Sequence, residues 1–263
     1  MKIKAKKSLG QHWLFDKPTL YKIVESAEVS KNDTVLEVGP GRGSLTAVLA
    51  EQAGKVIAVE FDDDLVPGLK AIFATKDNVE ITQADILDYD LSNLAVGYKV
   101  VANIPYYITS PIIQKFLQDH DQPSVMVLLI QKEVAQRIVA KPGQMSVLAV
   151  SVQLKAEVEL VANVGKELFQ PPPEVDSAIL KIIPRTKPLF DVDEQKFFTL
   201  VKAGFGEKRK MLRNSLAGGL QKEPTQIEEL LKQSGLEVTA RAQELSLDDW
   251  RQVYNNALAL QII

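Results

Sequence analysis

The chain has 263 residues and a mass of 29.1 kDa, which suits one large domain or a large domain with a small companion. Hydrophobic residues make up 46% of it and charged residues 25%, as in an ordinary globular protein. It has no cysteine and only two histidines. This excludes disulfides and thiolate metal sites, and it argues against histidine metal centres and serine–histidine–aspartate triads. We expect no metal cofactor.

The formal net charge is −3, but the charges are unevenly distributed. Residues 1–22 contain six lysines against one acidic residue, and residues 202–213 contain five Lys or Arg against one acidic residue. Such clusters suit phosphate contacts, although a charge run taken alone is more often a solvated surface. No apolar run is long enough to span a bilayer and no hydrophobic signal region follows the N-terminus. We therefore expect a cytoplasmic protein without membrane contact.

Short β-branched runs alternate with amphipathic segments from residue 34 to residue 130. The predicted strands are Thr34–Val38, Lys55–Glu60, Val79–Thr82, Lys99–Ala102 and Val125–Ile130. The predicted helices between them are Ser44–Ala53, Leu65–Ala74 and Pro111–Asp119. Strands that alternate with helices indicate βαβ units, and their apolar composition indicates a parallel sheet covered on both faces.

In the second half of the chain the pattern changes from alternating strands and helices to helices alone. A few further elements precede this change. These are a helix at Lys132–Ala140, an apolar stretch from Met145, and two strands at Glu157–Ala162 and Ala178–Ile183. Beyond a Pro184–Pro188 linker the helical patterns are Glu194–Phe205, Gln226–Ser234 and Leu247–Leu260, with no strand between them. We predict an α/β domain at residues 1–186 and a small all-helical domain at 187–263.

The first predicted strand runs into a glycine-rich loop that precedes a helix. Glycines let the backbone turn sharply and approach a ligand beside a helix N-terminus. Ser44 occupies the third glycine position of the dinucleotide frame, which disfavours a dehydrogenase. The observed Gly-x-Gly-x-Gly frame, with Glu37 two residues before it, favours S-adenosylmethionine, with Gly39 and Gly41 at the ligand. An unliganded tight turn is the alternative.

Acidic residues follow the next two strands. Glu60 ends the second strand, where a carboxylate can accept both hydroxyls of a ribose. Asp85 follows the third strand, where it can accept a hydrogen bond from an adenine amino group, and we assign the neighbouring Ile86 to the same site. Each acid alone is also explained as a strand-end or capping residue. Three ligand-type positions after three successive strands favour the cofactor.

The fourth strand ends in the tetrapeptide Asn103-Ile104-Pro105-Tyr106. An exocyclic adenine amine is a poor nucleophile because its lone pair is delocalised into the ring. Methyl transfer therefore needs acceptors for its hydrogens, and Asn103 Oδ1 and the Ile104 carbonyl can supply them. Pro105 fixes the backbone, and Tyr106 offers a face for an extruded base. The alternative is a strand-end turn with a core tyrosine.

With these motifs the chain resembles the ribosomal RNA adenine dimethyltransferase family. The segments that carry the resemblance are Leu9–Leu14, Glu37–Gly43, Asn103–Tyr106, Gln131–Val134, Phe169–Ala178 and Lys208–Asn214. The resemblance implies a Rossmann-like class I S-adenosylmethionine-dependent methyltransferase domain with a mostly parallel seven-stranded sheet, and a helical domain that binds rRNA. It also implies dimethylation of N6 of two adjacent adenosines near the 3′ end of small-subunit rRNA. Because recognition of an RNA helix end depends on shape, we expect an assembling subunit as the substrate, with naked rRNA as the alternative. We expect a monomer.

The resemblance further implies roles for individual residues. His12 and Leu14 close over the cofactor, and Asn103 contacts it together with the glycine loop and the two acids. Phe169 forms the face of a base clamp opposite Tyr106, whereas from the residues alone it is a core phenylalanine. The residues implied to meet phosphates, at helical spacing, are Lys208, Arg209, Lys210 and Arg213. The chain departs from the family pattern by a shorter loop at 141–146 and by Trp13 in place of phenylalanine.

Other functions stay open at this point. A large-subunit rRNA adenine methyltransferase of the antibiotic-resistance type shares the fold and the tetrapeptide, although Lys208–Asn214 and the proline turn at Pro171–Pro173 favour the small-subunit enzyme. A non-catalytic RNA-binding factor on the same scaffold is disfavoured by the intact tetrapeptide and glycine loop. A dehydrogenase is the least favoured.

Overall fold

The computed structural model describes residues 5–6, 9–207 and 209–263. The described chain divides into two compact units. The sheet unit comprises the residues up to Gln136 together with Ala156–Pro184, and the helical unit comprises Arg137–Lys155 and Arg185–Ile263. Among the residues described, no helix combines the length and the apolar character needed to cross a membrane.

The strands all belong to the sheet unit. In chain order they are β1 (Trp13–Leu14), β2 (Thr34–Val38), β3 (Lys55–Glu60), β4 (Val79–Gln83), β5 (Lys99–Asn103), β6 (Val125–Gln131), β7 (Ala156–Val164), β8 (Phe169–Gln170) and β9 (Ser177–Pro184). Seven of those described form one sheet in the order β4-β3-β2-β5-β6-β9-β7. Pairings with β9 are antiparallel and the others are parallel. The predicted mostly parallel sheet is confirmed.

The helices of the sheet unit are α1 (Lys17–Ser26), α2 (Ser44–Gln52), α3 (Val66–Ile72) and α4 (Thr109–Gln118), and the division between the units falls within α5 (Lys132–Ile138). The interior strand β6 is fully buried from Met126 to Ile130, each 0% exposed. Each such side chain contributes about 1.5–3 kcal/mol by leaving water. Burial on both faces explains why these strands are uninterrupted apolar runs.

Helix α1 is absent from the sequence prediction, although its start signal is present. Asp16 caps it by accepting a 3.0 Å hydrogen bond from the Thr19 amide, and Pro18 occupies its first turn. Its apolar residues Leu20, Ile23 and Val24 are buried. The capping aspartate and the following proline are typical of a helix N-terminus, so the sequence contained enough to predict it.

The helical unit contains α6 (Val147–Lys155), α7 (Glu194–Phe205), α8 (Leu212–Leu220), α9 (Pro224–Gln233) and α10 (Leu247–Ala259). Its core is built on aromatic rings, including fully buried Phe197 and Trp250. A Cβ on Gly204 would lie 2.5 Å from the Trp250 ring. Helix α7 can pack this closely against Trp250 because residue 204 has no side chain. Helix α8 is not predicted because its Gly218-Gly219 pair lowers helix propensity.

The boundary between the units differs from the sequence prediction in one segment. Residues 137–155, which we expected within the domain at 1–186, belong to the helical unit. The reason is packing: Ala149, Val150 and Leu154 of α6 are buried in the same apolar cluster as Phe197 and Leu200. The chain thus leaves the sheet unit within α5 and returns to it at β7.

Candidate active site

A cavity of about 320 Å³ opens in the sheet unit where parallel strands end. This is the edge at which open α/β sheets bind their ligands. The structure brings together there most of the predicted site residues, which are His12, Leu14, Gly39, Gly41, Glu60, Asp85, Ile86, Asn103, Ile104, Pro105 and Tyr106. Positions up to 94 residues apart in sequence therefore line one cavity, from His12 to Tyr106.

The glycine loop contributes backbone to this cavity. Gly39 and Gly41 have φ angles of +66° and +59°, a left-handed conformation that favours glycine. A Cβ on Gly39 would meet no atom within 4 Å, so the space beside this residue is open. Helix α2 begins at Ser44 immediately after the loop, and its N-terminal amides favour negative charge.

Glu60 is held by backbone amides at the end of β3. Its Oε2 accepts a 3.0 Å hydrogen bond from Gly41 N and its Oε1 a 2.8 Å bond from Asp62 N. Burial raises the pKa of Glu60, while these two amide donors oppose the shift. Each oxygen keeps a further lone pair, so the fixed carboxylate can still accept from ribose hydroxyls.

Glu37 is a second buried carboxyl beside the loop. It is 1% exposed, lines the cavity, and its Oε2 has no hydrogen-bond partner among the described residues. Burial raises the pKa of this carboxyl to about 8. At neutral pH the side chain is therefore mostly protonated, because the charged form cannot be solvated here.

Asn103 ends β5 with its side chain already oriented. Its Nδ2 donates a 3.1 Å hydrogen bond to the carbonyl of His12. Because only the amide nitrogen can donate to a carbonyl, this contact fixes which way the amide is turned. The amide oxygen is left as the acceptor for another molecule, which is the role that the sequence predicts.

Tyr106 is anchored by its hydroxyl and covered on its ring. The hydroxyl shares a 2.8 Å hydrogen bond with Ser177 Oγ, and burial raises the pKa of the phenol. The His12 ring stacks on it with centroids 6.1 Å apart and planes inclined by 20°. The His12 ring is fixed in turn by a 2.8 Å contact between Nδ1 and the Pro171 carbonyl.

Phe169 does not line the cavity, unlike the other predicted catalytic residues. It is 4% exposed, lies opposite Leu14 in the β1–β8 pair, and packs in an apolar cluster with Ile179. This position matches the core phenylalanine that the residues alone suggest. The base-clamp role implied by the resemblance stays a prediction.

The predicted phosphate-binding residues lie in the helical unit, except that Lys208 falls outside the described residues. The predicted helical spacing is wrong for Arg209 and Lys210, which precede α8, and only Arg213 lies within the helix. Lys210 pairs with Glu207 at 2.5 Å and Arg213 with Glu228 at 2.7 Å. The Lys210–Glu207 pair is exposed, whereas the Arg213–Glu228 pair is half-buried. Because exposed ion pairs contribute little, a phosphate can compete most readily for Lys210.

Sequence analysis missed a polar cluster beside the cavity. The side chain of Asp62 is 1% exposed and accepts hydrogen bonds from Lys6 Nζ at 2.6 Å and Gln11 Nε2 at 2.7 Å. Burial alone would raise the pKa of Asp62, but these bonds hold it below its usual value. The contacts span 56 and 51 residues, so no local pattern could reveal them.

Trp13 is a further residue that the sequence did not assign to the site. Its ring lines the cavity and would lie 3.0 Å from a Cβ on Gly41. The guanidinium of Arg42 sits 4.7 Å from the ring centroid, a cation–π contact. A substitution at Gly41 would therefore meet the indole as well as an unfavourable φ angle.

Comparison with known proteins identifies this arrangement. The model of the family described as ribosomal RNA adenine dimethylase matches residues 2–258. The chain belongs to this family. It is 45% identical to the ribosomal RNA small subunit methyltransferase A of Dehalococcoides mccartyi strain CBDB1, over 95% of this chain and 88% of that protein. It is 39% identical to the protein of the same name from Clostridioides difficile strain 630, over 96% and 90%.

Solved structures agree with the family match. A dimethyladenosine transferase from Plasmodium falciparum superposes with a TM-score of 0.82 at 27% identity, over 95% of this chain and 98% of that one. The 23S rRNA methyltransferase ErmE gives 0.74 at 29% identity, over 93% and 98%. The predicted class I methyltransferase fold is confirmed, and the family is one of rRNA adenine dimethyltransferases. Family and fold support S-adenosylmethionine as the methyl donor.

The residues of the cavity fit this cofactor. The open space beside Gly39, the fixed carboxylate of Glu60 and the apolar side chains of Leu14 and Ile86 match a ligand with an amino-acid end, a ribose and a flat base. The cavity volume of about 320 Å³ lies at the lower end of the range for small-molecule sites.

Proposed function

We propose that the protein dimethylates N6 of two adjacent adenosines near the 3′ end of small-subunit rRNA, and so takes part in ribosome biogenesis. The observation that carries this proposal is the Asn103 amide, whose nitrogen is bound to the His12 carbonyl at 3.1 Å and whose oxygen is left to accept from an amine. The names of the curated relatives support the small subunit as the substrate.

Cofactor binding falls to the loop and to the two acids after β3 and β4. Glu60 would accept the ribose hydroxyls. Asp85 would accept from the adenine amino group with its Oδ2, because its Oδ1 accepts from the Leu87 amide at 2.9 Å. Gly39 and Gly41 would line the amino-acid end. Bound S-adenosylmethionine supplies an electrophilic methyl group on its sulfonium.

The tetrapeptide makes the adenine amine nucleophilic. Asn103 Oδ1 and the Ile104 carbonyl accept the two N6 hydrogens, which favours a tetrahedral nitrogen with a localised lone pair. Tyr106 would hold the base by stacking on the ring face that His12 does not cover. As the N6 lone pair forms its bond to the methyl group, the bond between that methyl group and the donor's sulfur breaks, and its electron pair stays on sulfur as the neutral thioether leaves. The nitrogen thereby becomes positively charged and then loses a proton to solvent, so no general base is required.

The second methyl transfer makes a different demand on the same residues. A monomethylated N6 carries one hydrogen, so Asn103 and the Ile104 carbonyl cannot both be satisfied. The amine must rotate to place its lone pair towards a second cofactor. The acceptors therefore tolerate two orientations of the amine while the base stays stacked.

The substrate is a partly assembled small subunit, on which the protein acts as a cytoplasmic monomer. Double-stranded RNA is recognised mainly by shape and by its backbone, which a folded particle presents and a flexible transcript does not. The exposed cations around α8 supply backbone contacts. Arg209 lies just before the N-terminus of that helix and Arg213 lies in its first turn. The helix dipole also favours phosphate at this end.

A reconstitution assay tests the proposal. The protein is incubated with tritium-labelled S-adenosylmethionine and one of three substrates: small subunits that lack the modification, naked small-subunit rRNA, or large subunits. We expect labelled dimethyladenosine in small subunits. Label in large subunits alone would favour an activity like that of the 23S enzyme, and absence of cofactor binding would favour a non-catalytic RNA-binding factor.

A further inference from the structure

The segment at residues 9–14 covers one side of the cavity. Gln11, His12 and Trp13 all line it. At its C-terminal end the segment is tied by β1, in which Trp13 lies opposite Gln170. At its N-terminal end it is tied by a side chain, because Gln11 Nε2 donates to Asp62 Oδ2 at 2.7 Å. The His12 peptide lies between these two attachments.

Asp62 is built as a rigid attachment. Its Oδ1 also accepts from Lys6 Nζ at 2.6 Å and from Asp64 N at 3.2 Å. Gln11 is fixed a second time, because its Oε1 accepts from Lys6 N at 2.8 Å. A buried carboxylate with charged and neutral donors has little freedom to reorient. The backbone amide of Asp62 donates a hydrogen bond to Glu60 Oε1 at 2.8 Å. This bond connects Asp62 to the carboxylate that we assign to the ribose.

The other side of the His12 peptide faces the reacting residue. The His12 carbonyl accepts the 3.1 Å bond from Asn103 Nδ2. Without this acceptor the two orientations of the amide differ little in energy, and one of them would point an N–H at the substrate amine. Two donors facing each other cannot form the hydrogen bond that activates N6. The place of the His12 carbonyl therefore decides which orientation dominates.

We infer that Gln11 and Asp62 are positioning residues for methyl transfer, which hold the His12 carbonyl where it selects the acceptor orientation of Asn103. This inference rests on the proposed function. A residue that only anchors the cofactor would change cofactor affinity. The positioning role requires instead that substitution of Gln11 change the orientation of the Asn103 amide. Asp63, the exposed neighbour of Asp62, provides a control with the same change of charge.

Nuclear magnetic resonance tests the orientation without any need for activity. The side-chain amide signals of Asn103 are identified as those that Asn103→Asp removes from the spectrum of the nitrogen-labelled protein. In Gln11→Ala and in Asp62→Asn we expect these signals to shift and their exchange with solvent to accelerate by about tenfold or more. Asp63→Asn should leave them in place. Unchanged Asn103 signals in Gln11→Ala overturn the inference.

Kinetics then test whether the orientation matters for transfer. At saturating S-adenosylmethionine, Gln11→Ala should lower the single-turnover rate on small subunits by about tenfold. In the Asn103→Asp background both side-chain oxygens are acceptors, so the same substitution should change the rate by about twofold at most. Cofactor affinity should change equally in both backgrounds. Equal rate losses in the two backgrounds contradict the inference.

The proposed function and the positioning role of Gln11 can be refuted separately. A wild-type protein that transfers no methyl group to any ribosomal substrate would refute the proposed function, and the resonance result would still report on the amide. A fully active wild type with an unmoved Asn103 signal in Gln11→Ala would leave the proposed function intact and remove the positioning role.

Discussion

The two units differ in which polar groups they bury. Among the residues described, the buried acidic side chains are Glu37, Glu60 and Asp62, and all belong to the sheet unit. The polar residues buried in the helical unit are Ser215 and Ser234, whose hydroxyls bond to backbone carbonyls at 3.4 and 2.7 Å. Burying a carboxylate is costly unless it is compensated. The sheet unit therefore buries acidic side chains around its cavity despite this cost. In the helical unit the described core is apolar and its charged side chains are not buried.

The largest expected effect lies at the tetrapeptide. Asn103→Ala removes an acceptor used as the amine becomes tetrahedral, so we expect transfer to fall by about a thousandfold or more. Cofactor affinity should stay within about tenfold of the wild type. Filter-binding of tritiated product and calorimetry with S-adenosylmethionine measure the two effects. Near-normal turnover would remove Asn103 from the reaction.

The helical unit should respond to a core substitution in stability and not in cofactor binding. Trp250→Ala removes a ring that is 0% exposed, and it should lower the free energy of unfolding by about 3–5 kcal/mol. Denaturant titration measures this loss. The exposed Leu260→Ala should change stability by less than about 0.5 kcal/mol. Cofactor affinity is compared at a denaturant concentration at which Trp250→Ala remains folded. A large change in that affinity would contradict the difference between the two units.

Glu60 should act through the cofactor. Glu60→Gln replaces one of the two acceptor oxygens with a donor, so the dissociation constant of S-adenosylmethionine should rise by about 10- to 100-fold. Glu80→Gln on the neighbouring strand β4 is the matched control, since that side chain is exposed and pairs with Lys55 at 3.0 Å. Calorimetry distinguishes the two, and equal affinities for both variants would exclude the ribose contact.

Glu37 should make stability depend on pH. Its pKa rises from 4.5 towards about 8 on folding, so the folded state holds a proton that the unfolded state releases. The stabilising contribution is complete below the unfolded value and is lost as pH rises to about 8, with a slope of about 1.4 kcal/mol per pH unit at most. Glu37→Gln should flatten unfolding free energies measured from pH 5 to about 8. An unchanged slope would show that another group titrates.

The smallest effect is expected at the cations of the helical unit. Arg213→Ala should weaken binding to rRNA by several-fold and reduce the dependence of log affinity on log salt by about one unit. Lys196→Ala, in the first turn of α7, should leave both quantities unchanged. Binding to immobilised small subunits over a salt series measures them. Equal salt slopes for the two variants would remove α8 from the RNA contact.

The sequence predicted what depends on local pattern. The apolar runs identified every strand of the large sheet, and the residues after strand ends proved to share one cavity, because parallel strands end at a common edge. The pattern could not predict the attachment of Gln11 to Asp62, which joins positions 51 residues apart. It also gave no helix at α8, because the Gly218-Gly219 pair has low helix propensity. The glycine at 219 is needed for packing, since Ala203 would lie 2.7 Å from an added Cβ.

The position of α6 has a consequence for biosynthesis. During translation the chain completes this helix before β7 and β9, whereas α7 to α10, with which it shares a core, follow later. The apolar partners of Ala149, Val150 and Leu154 are therefore synthesised only after Pro184. A chain truncated after Pro184 would retain the whole large sheet but expose these side chains, and such apolar patches promote aggregation. One cut after Pro184 would therefore release the large sheet only together with an uncovered α6.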